Sequence, residues 1–305
     1  MVEQQTHPKQ VNPSSTGQWT IQKIITWSTD FLKKSEVGSS ARLDVELLLC
    51  EVLKLSRIEL YTNYDRPLTE SERAQFKELL KRRRNFEPIA YILGHKQFYK
   101  HTFKINEHAL IPRSDTEILL EEAVSFLRDR NHESAKILDL GTGCGCIALS
   151  LAQEFSSAQV LAVDISPDAI KLSKENSDIL RVNNVSFECS DIRIHTFWES
   201  DHRFDLIVSN PPYICPTEKD GLPAGVLQYE PHLALFAEDE GTHFYKLMAK
   251  HAKKLLAPKG KLIVEVGYLQ SQEVAKIFEV NDWTKVSFRS DYAGHVRVVS
   301  AQLAD

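Results

Sequence analysis

The sequence predicts an α/β domain with a mostly parallel sheet, preceded by a small helical bundle and a β-hairpin linker, and three stretches carry that prediction. An apolar strand, Lys136 to Leu140, runs into Gly141-Thr142-Gly143-Cys144-Gly145 and then into a helical run ending near Leu151. A second strand, Gln159 to Val163, ends in Asp164. A third, Phe204 to Val208, ends in Ser209-Asn210-Pro211-Pro212-Tyr213. Glycines and polar residues at the carboxyl ends of apolar strands are where open α/β sheets bind ligands.

The elements follow in order. Residues 1–17 are polar, carry Pro8 and Pro13, and contain no apolar signal core, so a disordered leader is expected. Residues 18–85 have helical periodicity, with Ile21, Ile24, Ile25 and Leu32, then Leu43, Leu47 and Leu48, then Phe76, Leu79 and Leu80. Thr69-Glu-Ser-Glu72 predicts a capping box opening the last of these helices. The cluster Lys81 to Arg84 reads first as a solvated helix face, with contact to an acidic partner or RNA as the lesser reading. Over 86–110, Pro88, Gly94 and the alternation Phe98, His101, Phe103, Ile105 predict the hairpin. A helix opens near Ile111-Pro-Arg-Ser-Asp-Thr-Glu117 with Ser114 or Asp115 as its cap. Beyond the glycine loop, Ser166 to Leu180 reads as a helix and Val185 to Glu188 as a strand. Leu262 to Val266, Thr284 to Phe288 and Val296 to Ala301 complete a seven-stranded sheet, the last two forming an antiparallel hairpin. The long connection Ile214 to Phe236, with three prolines and two glycines, is the length and composition of a functional loop.

The chemistry is read at the strand ends. The glycine loop departs from the dinucleotide fingerprint because its third glycine comes one residue early, which favours a nucleoside cofactor without a pyrophosphate; S-adenosylmethionine is one. The Asp164 carboxylate can accept from both hydroxyls of a ribose. Asp191 can face an adenine amino group and Ile192 the ring, while an exposed loop aspartate is an equal alternative for Asp191. Two successive prolines stiffen the corner after Asn210. The Asn210 side-chain oxygen and the Pro211 carbonyl can then accept the hydrogens of an NH2 group, beside Pro212 and an aromatic wall from Tyr213.

These motifs together resemble the class I methyltransferases, and within them the protein-(glutamine-N5) methyltransferases that modify bacterial peptide chain release factors. The resemblance rests on Asp139-Leu-Gly-Thr-Gly-Cys-Gly-Cys-Ile-Ala-Leu149, Val163-Asp-Ile-Ser-Pro-Asp-Ala169, Asn210-Pro-Pro-Tyr-Ile214 and Tyr229-Glu-Pro231 with Ala234-Leu235. It extends upstream to Glu87-Pro-Ile-Ala-Tyr-Ile-Leu-Gly94 and Leu110-Ile-Pro-Arg-Ser-Asp-Thr-Glu117. It covers most of the chain after about residue 20. It implies a Rossmann-like domain over 111–305 and an amino-terminal bundle that helps grip a protein substrate. It also implies cofactor contacts at Gly141, Thr142, Gly143, Cys144, Gly145, Asp164, Asp191, Ile192 and Asn210, with catalysis at Asn210, Pro211 and Tyr213 and acceptor binding at Asn210, Pro211, Pro212 and Tyr213. The acceptor so implied is the glutamine of the Gly-Gly-Gln motif in class I release factors, with S-adenosylhomocysteine as the product. Ser114 stands where the family usually has proline, which bears on the rigidity of that loop.

Composition sets the outer bounds. At 305 residues, two domains are the default. A formal charge of −5 argues against a non-specific DNA binder. Five cysteines without framework spacing fit a reducing cytoplasm, and no run is long and apolar enough to span a bilayer. Cys144 and Cys146 read as small packing residues, His95, His101 and His108 form no ligand set, and no metal is expected. Three other readings stay open: a glutamine methyltransferase of a ribosomal protein, a DNA adenine-N6 methyltransferase using the same corner, and a non-catalytic binding module.

Overall fold

The computed structural model describes residues 18–35, 37, 40–130 and 134–303; the expected leader, 1–17, lies outside the described residues. The chain divides into two compact units, Met1–Phe86 and Glu87–Asp305.

The first unit is helical, with α1 (Ile21–Lys34), α2 (Ala41–Leu53), α3 (Arg57–Thr62) and α4 (Glu70–Arg84). α2 packs on α1 and α4, burying Ile21, Ile25, Leu32, Val45, Leu48, Leu49 and Phe76. Thr20, Ser56 and Thr69 cap three of these helices through their side chains, and Ser56 and Thr69 each form a capping box with the glutamate three residues on. The basic run at the end of α4 is not uniformly solvated. Arg83 is largely buried, pairs with Asp44 at 2.7 Å and donates to the Val37 carbonyl, and Arg84 lies over the Phe31 ring. A charge this deep is tolerated because a carboxylate and a carbonyl satisfy it.

The second unit opens with a short helix, α5 (Ile89–Leu93), which the periodicity did not predict; Gly94, at φ +75°, ends it. The hairpin follows as β1 (His95–Phe98) and β2 (His101–Lys104). Its Phe98 and Phe103 are buried in the same apolar cluster as α6 (Thr116–Asp129). The sheet is built from β3 (Lys136–Leu140), β4 (Gln159–Asp164), β5 (Val185–Cys189), β6 (Phe204–Ser209), β7 (Leu256–Glu265), β8 (Thr284–Ser290) and β9 (Val296–Gln302). Its order is β5-β4-β3-β6-β7-β9-β8, parallel except at β9. Helices α7 (Cys146–Glu154), α8 (Pro167–Leu180), α9 (Ala224–Tyr229), α10 (His243–His251) and α11 (Ser271–Val280) lie between the strands in sequence. Apolar clusters form on both faces of the sheet. This is the expected Rossmann-like, mostly parallel, seven-stranded fold.

Two local expectations differ. β7 starts six residues early, at Leu256, because Phe204 pairs with Leu256 and Leu206 with Lys261, so Ala257 to Gly260 bulge out and hide the strand behind a Pro-Lys-Gly turn signal. Neither Ser114 nor Asp115 caps α6 through its side chain. The Asp115 backbone is already helical, and its carboxylate pairs instead with Arg297 at 3.0 Å.

Candidate active site

Strand register puts the site together. Leu140 of β3 pairs with Ser209 of β6, which pairs with Val264 of β7. The next residues, Gly141, Asn210 and Glu265, therefore end three adjacent strands side by side. The Ser209 hydroxyl donates to the Leu140 carbonyl at 2.8 Å and ties two of these ends together. The chain leaves β3 toward β4 and β5 on one side and returns to β6 on the other, so this is also the topological switch point. One cavity lies there. Gly141, Thr142, Gly143, Cys144, Asp164, Asp191, Ile192, Asn210, Pro211 and Pro212 all line it, while Gly145 and Tyr213 do not.

The glycines are required by conformation. Gly141, Gly143 and Gly145 have φ of +74°, +57° and +84°, a region costly for residues with a Cβ. A Cβ on Gly141 would meet nothing within 4 Å, so this backbone stands bare beside the cavity. Gly145 instead faces the protein: its Cβ would lie 3.0 Å from Leu149 Cδ1 and 3.1 Å from Ser173 Cβ. Asn176 braces the loop from behind, donating to the carbonyls of Cys144 and Lys104 and accepting from the Lys104 amide.

Asp164 accepts from the Gly143 amide at 2.8 Å and the Ser166 amide at 2.9 Å, one on each oxygen. Burial raises its pKa while these amides act in the opposite direction. Asp191 is engaged by Arg193 through both oxygens, at 2.9 and 2.8 Å, which lowers its pKa. Behind the glycine loop, Asp139 is fully buried. Its Oδ2 accepts from the Thr142 hydroxyl and the Ala148 amide, Oδ1 has no partner among the described residues, and burial lifts its pKa to about 7.

At the β6 end, Asn210 Nδ2 donates to the Thr116 hydroxyl at 3.2 Å. Its Oδ1 is the end left for the cavity. No backbone amide among the described residues donates to the Pro211 carbonyl. Tyr213 turns away: its ring packs on the apolar cluster that includes Tyr245 and Val264, its carbonyl accepts from Gln270 at 2.9 Å, and burial pushes its pKa up to about 12. Residues that motif reading missed also line the cavity, among them His108, Thr116, Leu233 and Phe244. Thr116 stood inside a recognised block but had no signal of its own. Arg113 and Glu230, which stand in two of the blocks that carry the family resemblance, pair at 2.5 Å. Glu230 is buried and also accepts from the Ile111 amide, holding the α6 entry to the long connection. Among the described residues, no group of three or more His, Cys, Asp or Glu is arranged to hold a metal.

Comparison with known proteins agrees with this architecture. Residues 23–94 match the PrmC N-terminal domain and residues 131–295 a methyltransferase domain. The catalytic domain of hMettl16, 15% identical with a TM-score of 0.51 over 67% of this chain and 76% of that one, shares the fold. A bifunctional methyltransferase of Rickettsia felis is 39% identical over 92% of this chain, which spans 58% of that relative's length. A release factor glutamine methyltransferase of Rhodopirellula baltica is 36% identical over 95% of this chain and 99% of its own length. With a methyltransferase domain model matching more than half its length and a relative matched from end to end, the chain belongs to the release factor glutamine methyltransferase family.

Proposed function

We propose that this chain transfers the methyl group of S-adenosylmethionine to the side-chain amide nitrogen, N5, of the glutamine in the Gly-Gly-Gln motif of class I peptide chain release factors. One observation carries the reading. The Asn210 carboxamide commits its donor end to Thr116, so an acceptor oxygen, with the Pro211 carbonyl beside it, is left at a cavity edge where an NH2 group must be held.

The cavity fits the cofactor on its own features. Gly141 presents bare backbone, and Asp164, oriented by two backbone amides, retains lone pairs for a ribose diol. Ile192 supplies an apolar wall for a base. When bound, S-adenosylmethionine supplies an electrophilic methyl on a sulfonium that becomes neutral on transfer.

The protein's task is then orientation. A carboxamide nitrogen is a poor nucleophile because its lone pair is delocalised. Asn210 Oδ1 and Pro211 O accept its two hydrogens, fix the plane of the amide and polarise both N–H bonds, and one of these two protons leaves to solvent once the N–C bond has formed. The stiff Pro211-Pro212 corner keeps these acceptors in place. The name of the Rhodopirellula relative supports a release-factor acceptor.

The test incubates the chain with radiolabelled S-adenosylmethionine and three acceptors: a class I release factor, its Gly-Gly-Gln variant with alanine for glutamine, and duplex DNA. Label in the intact release factor alone is expected. Label in the alanine variant removes the residue assignment, and label in DNA overturns the protein acceptor.

A further inference from the structure

The segment joining β5 to β6 holds no α-helix, only a short helical turn at His195–Glu199, yet it carries Asp191 and Ile192 to the cavity. Its own bonds fix its start and its turn. The Ser190 amide donates to the Asp164 carbonyl, the Ile194 amide donates to the Asp191 carbonyl, and Arg193 engages the Asp191 carboxylate. The Ile192 carbonyl is held by a side chain instead: Trp198 Nε1 donates to it at 2.6 Å. Trp198 is 1% exposed and does not line the cavity. Its indole stands edge-on to Phe197, with centroids 5.0 Å apart, and stacks at 24° on His251, the last residue of α10.

A half-buried isoleucine on such a loop makes a defined wall for a base only if its backbone is fixed. The bond to its carbonyl fixes the peptide plane after Ile192 and, with it, the direction of the side chain. An indole suits the task, because its one donor is aimed by the packing of a large rigid ring. We infer that Trp198 is a positioning residue for the cofactor: from outside the cavity it holds Ile192 against the adenine ring, so that affinity for the adenosine half of S-adenosylmethionine depends on the Trp198 indole N–H. The inference rests on the proposed cofactor site and not on the proposed acceptor. Trp283 is the matched control. It is 5% exposed, its Nε1 donates to the Ala249 carbonyl at 2.8 Å, and it lines no part of the cavity.

The experiment uses the full chain as wild type, W198F and W283F. Calorimetry without acceptor titrates S-adenosylmethionine and methylthioadenosine, which keeps the adenosine but lacks the amino acid. W198F should weaken both ligands by about fivefold to thirtyfold, the worth of one well-placed bond. W283F should weaken neither by more than about twofold, although it too loses a buried hydrogen bond and should lose similar stability in urea. In turnover on a release factor, W198F should raise KM for S-adenosylmethionine and leave kcat within about twofold of wild type. The indole N–H resonances of the four tryptophans, assigned by single Trp→Phe variants, give a readout in wild type itself. The Trp198 signal should shift when methylthioadenosine binds, and the Trp283 signal should not. Unchanged affinity of W198F for methylthioadenosine, equal losses in W198F and W283F, or a Trp198 resonance indifferent to the ligand overturns the inference. A wild type that binds S-adenosylmethionine but labels no release factor removes the proposed acceptor and leaves this test standing; one that binds neither ligand overturns both.

Discussion

The corner that holds Asn210 is buttressed by a glycine far from it in sequence, and replacing that glycine should loosen the site without touching a ligand. Gly241 has φ +84°, and a Cβ built there stands 2.2 Å from the Tyr213 carbonyl oxygen, 3.1 Å from its carbon and 2.7 Å from Gln270 Nε2. The glutamine can rotate away, but the Tyr213 backbone must retreat by about 1 Å to reach van der Waals distance. The left-handed backbone costs an alanine about 1 kcal/mol. Losing the bond from Gln270 to the Tyr213 carbonyl costs about 1 kcal/mol more, and the displaced backbone adds roughly 1–2 kcal/mol of strain. Gly241→Ala should therefore lose about 3–4 kcal/mol in urea unfolding. Turnover should fall by about tenfold to a hundredfold, because a 1 Å misplacement at the acceptor is enough for that. Affinity for S-adenosylmethionine should change little, since Gly141 and Asp164 end other strands. Gly221→Ala is the control: nothing lies within 4 Å of its Cβ and its φ is not left-handed. A Gly241→Ala protein within about 0.5 kcal/mol of wild type, as surface changes usually are, would refute the reasoning.

The other predictions use the same geometry. Asn210→Ala should reduce kcat by about a hundredfold or more while calorimetric affinity for S-adenosylmethionine stays within a few-fold; an equal loss of both would make Asn210 a cofactor residue only. Asp164→Ala removes the acceptor of the Gly143 amide and the two acceptor oxygens proposed for the ribose, so cofactor affinity should weaken about tenfold to a hundredfold in the same titration; unchanged affinity would remove Asp164 from the site. For Asp139 the folded pKa, about 7, lies above the unfolded value of about 4. Protonation therefore favours the native state: the contribution is complete below about pH 4 and is lost as pH rises through about 7, with an upper bound of about 4 kcal/mol. Asp139→Asn should flatten the fall in unfolding free energy across that window, leaving the same-signed part from Glu265, a carboxyl that burial also lifts to about 7; equal slopes in the two proteins would contradict it.

What could be read in the sequence, and what could not, follows from the range of the interactions. The middle of the sheet was legible because β3, β4 and β6 announce themselves locally, as apolar runs ending in glycine, aspartate or Asn-Pro-Pro, and their parallel pairing brings those ends to one side. That is why residues from these three strand ends line one cavity. Tyr213 and Gly145 show the limit, for adjacency in a motif does not decide which way a side chain points. Tyr213 follows two prolines that turn the chain, and its ring finds a better partner in the apolar cluster than in the cavity. The partners of the site residues are longer-range still. Thr116 meets Asn210 across 94 residues and Glu230 meets the Ile111 amide across 119. Glu265 looks like any strand-end carboxylate until the pairing of Ser209 with Val264 sets it beside Asn210. A motif shows which groups can do chemistry, whereas the direction of a carboxamide or the protonation of a buried acid is set by a neighbouring strand, through a register that no local pattern encodes.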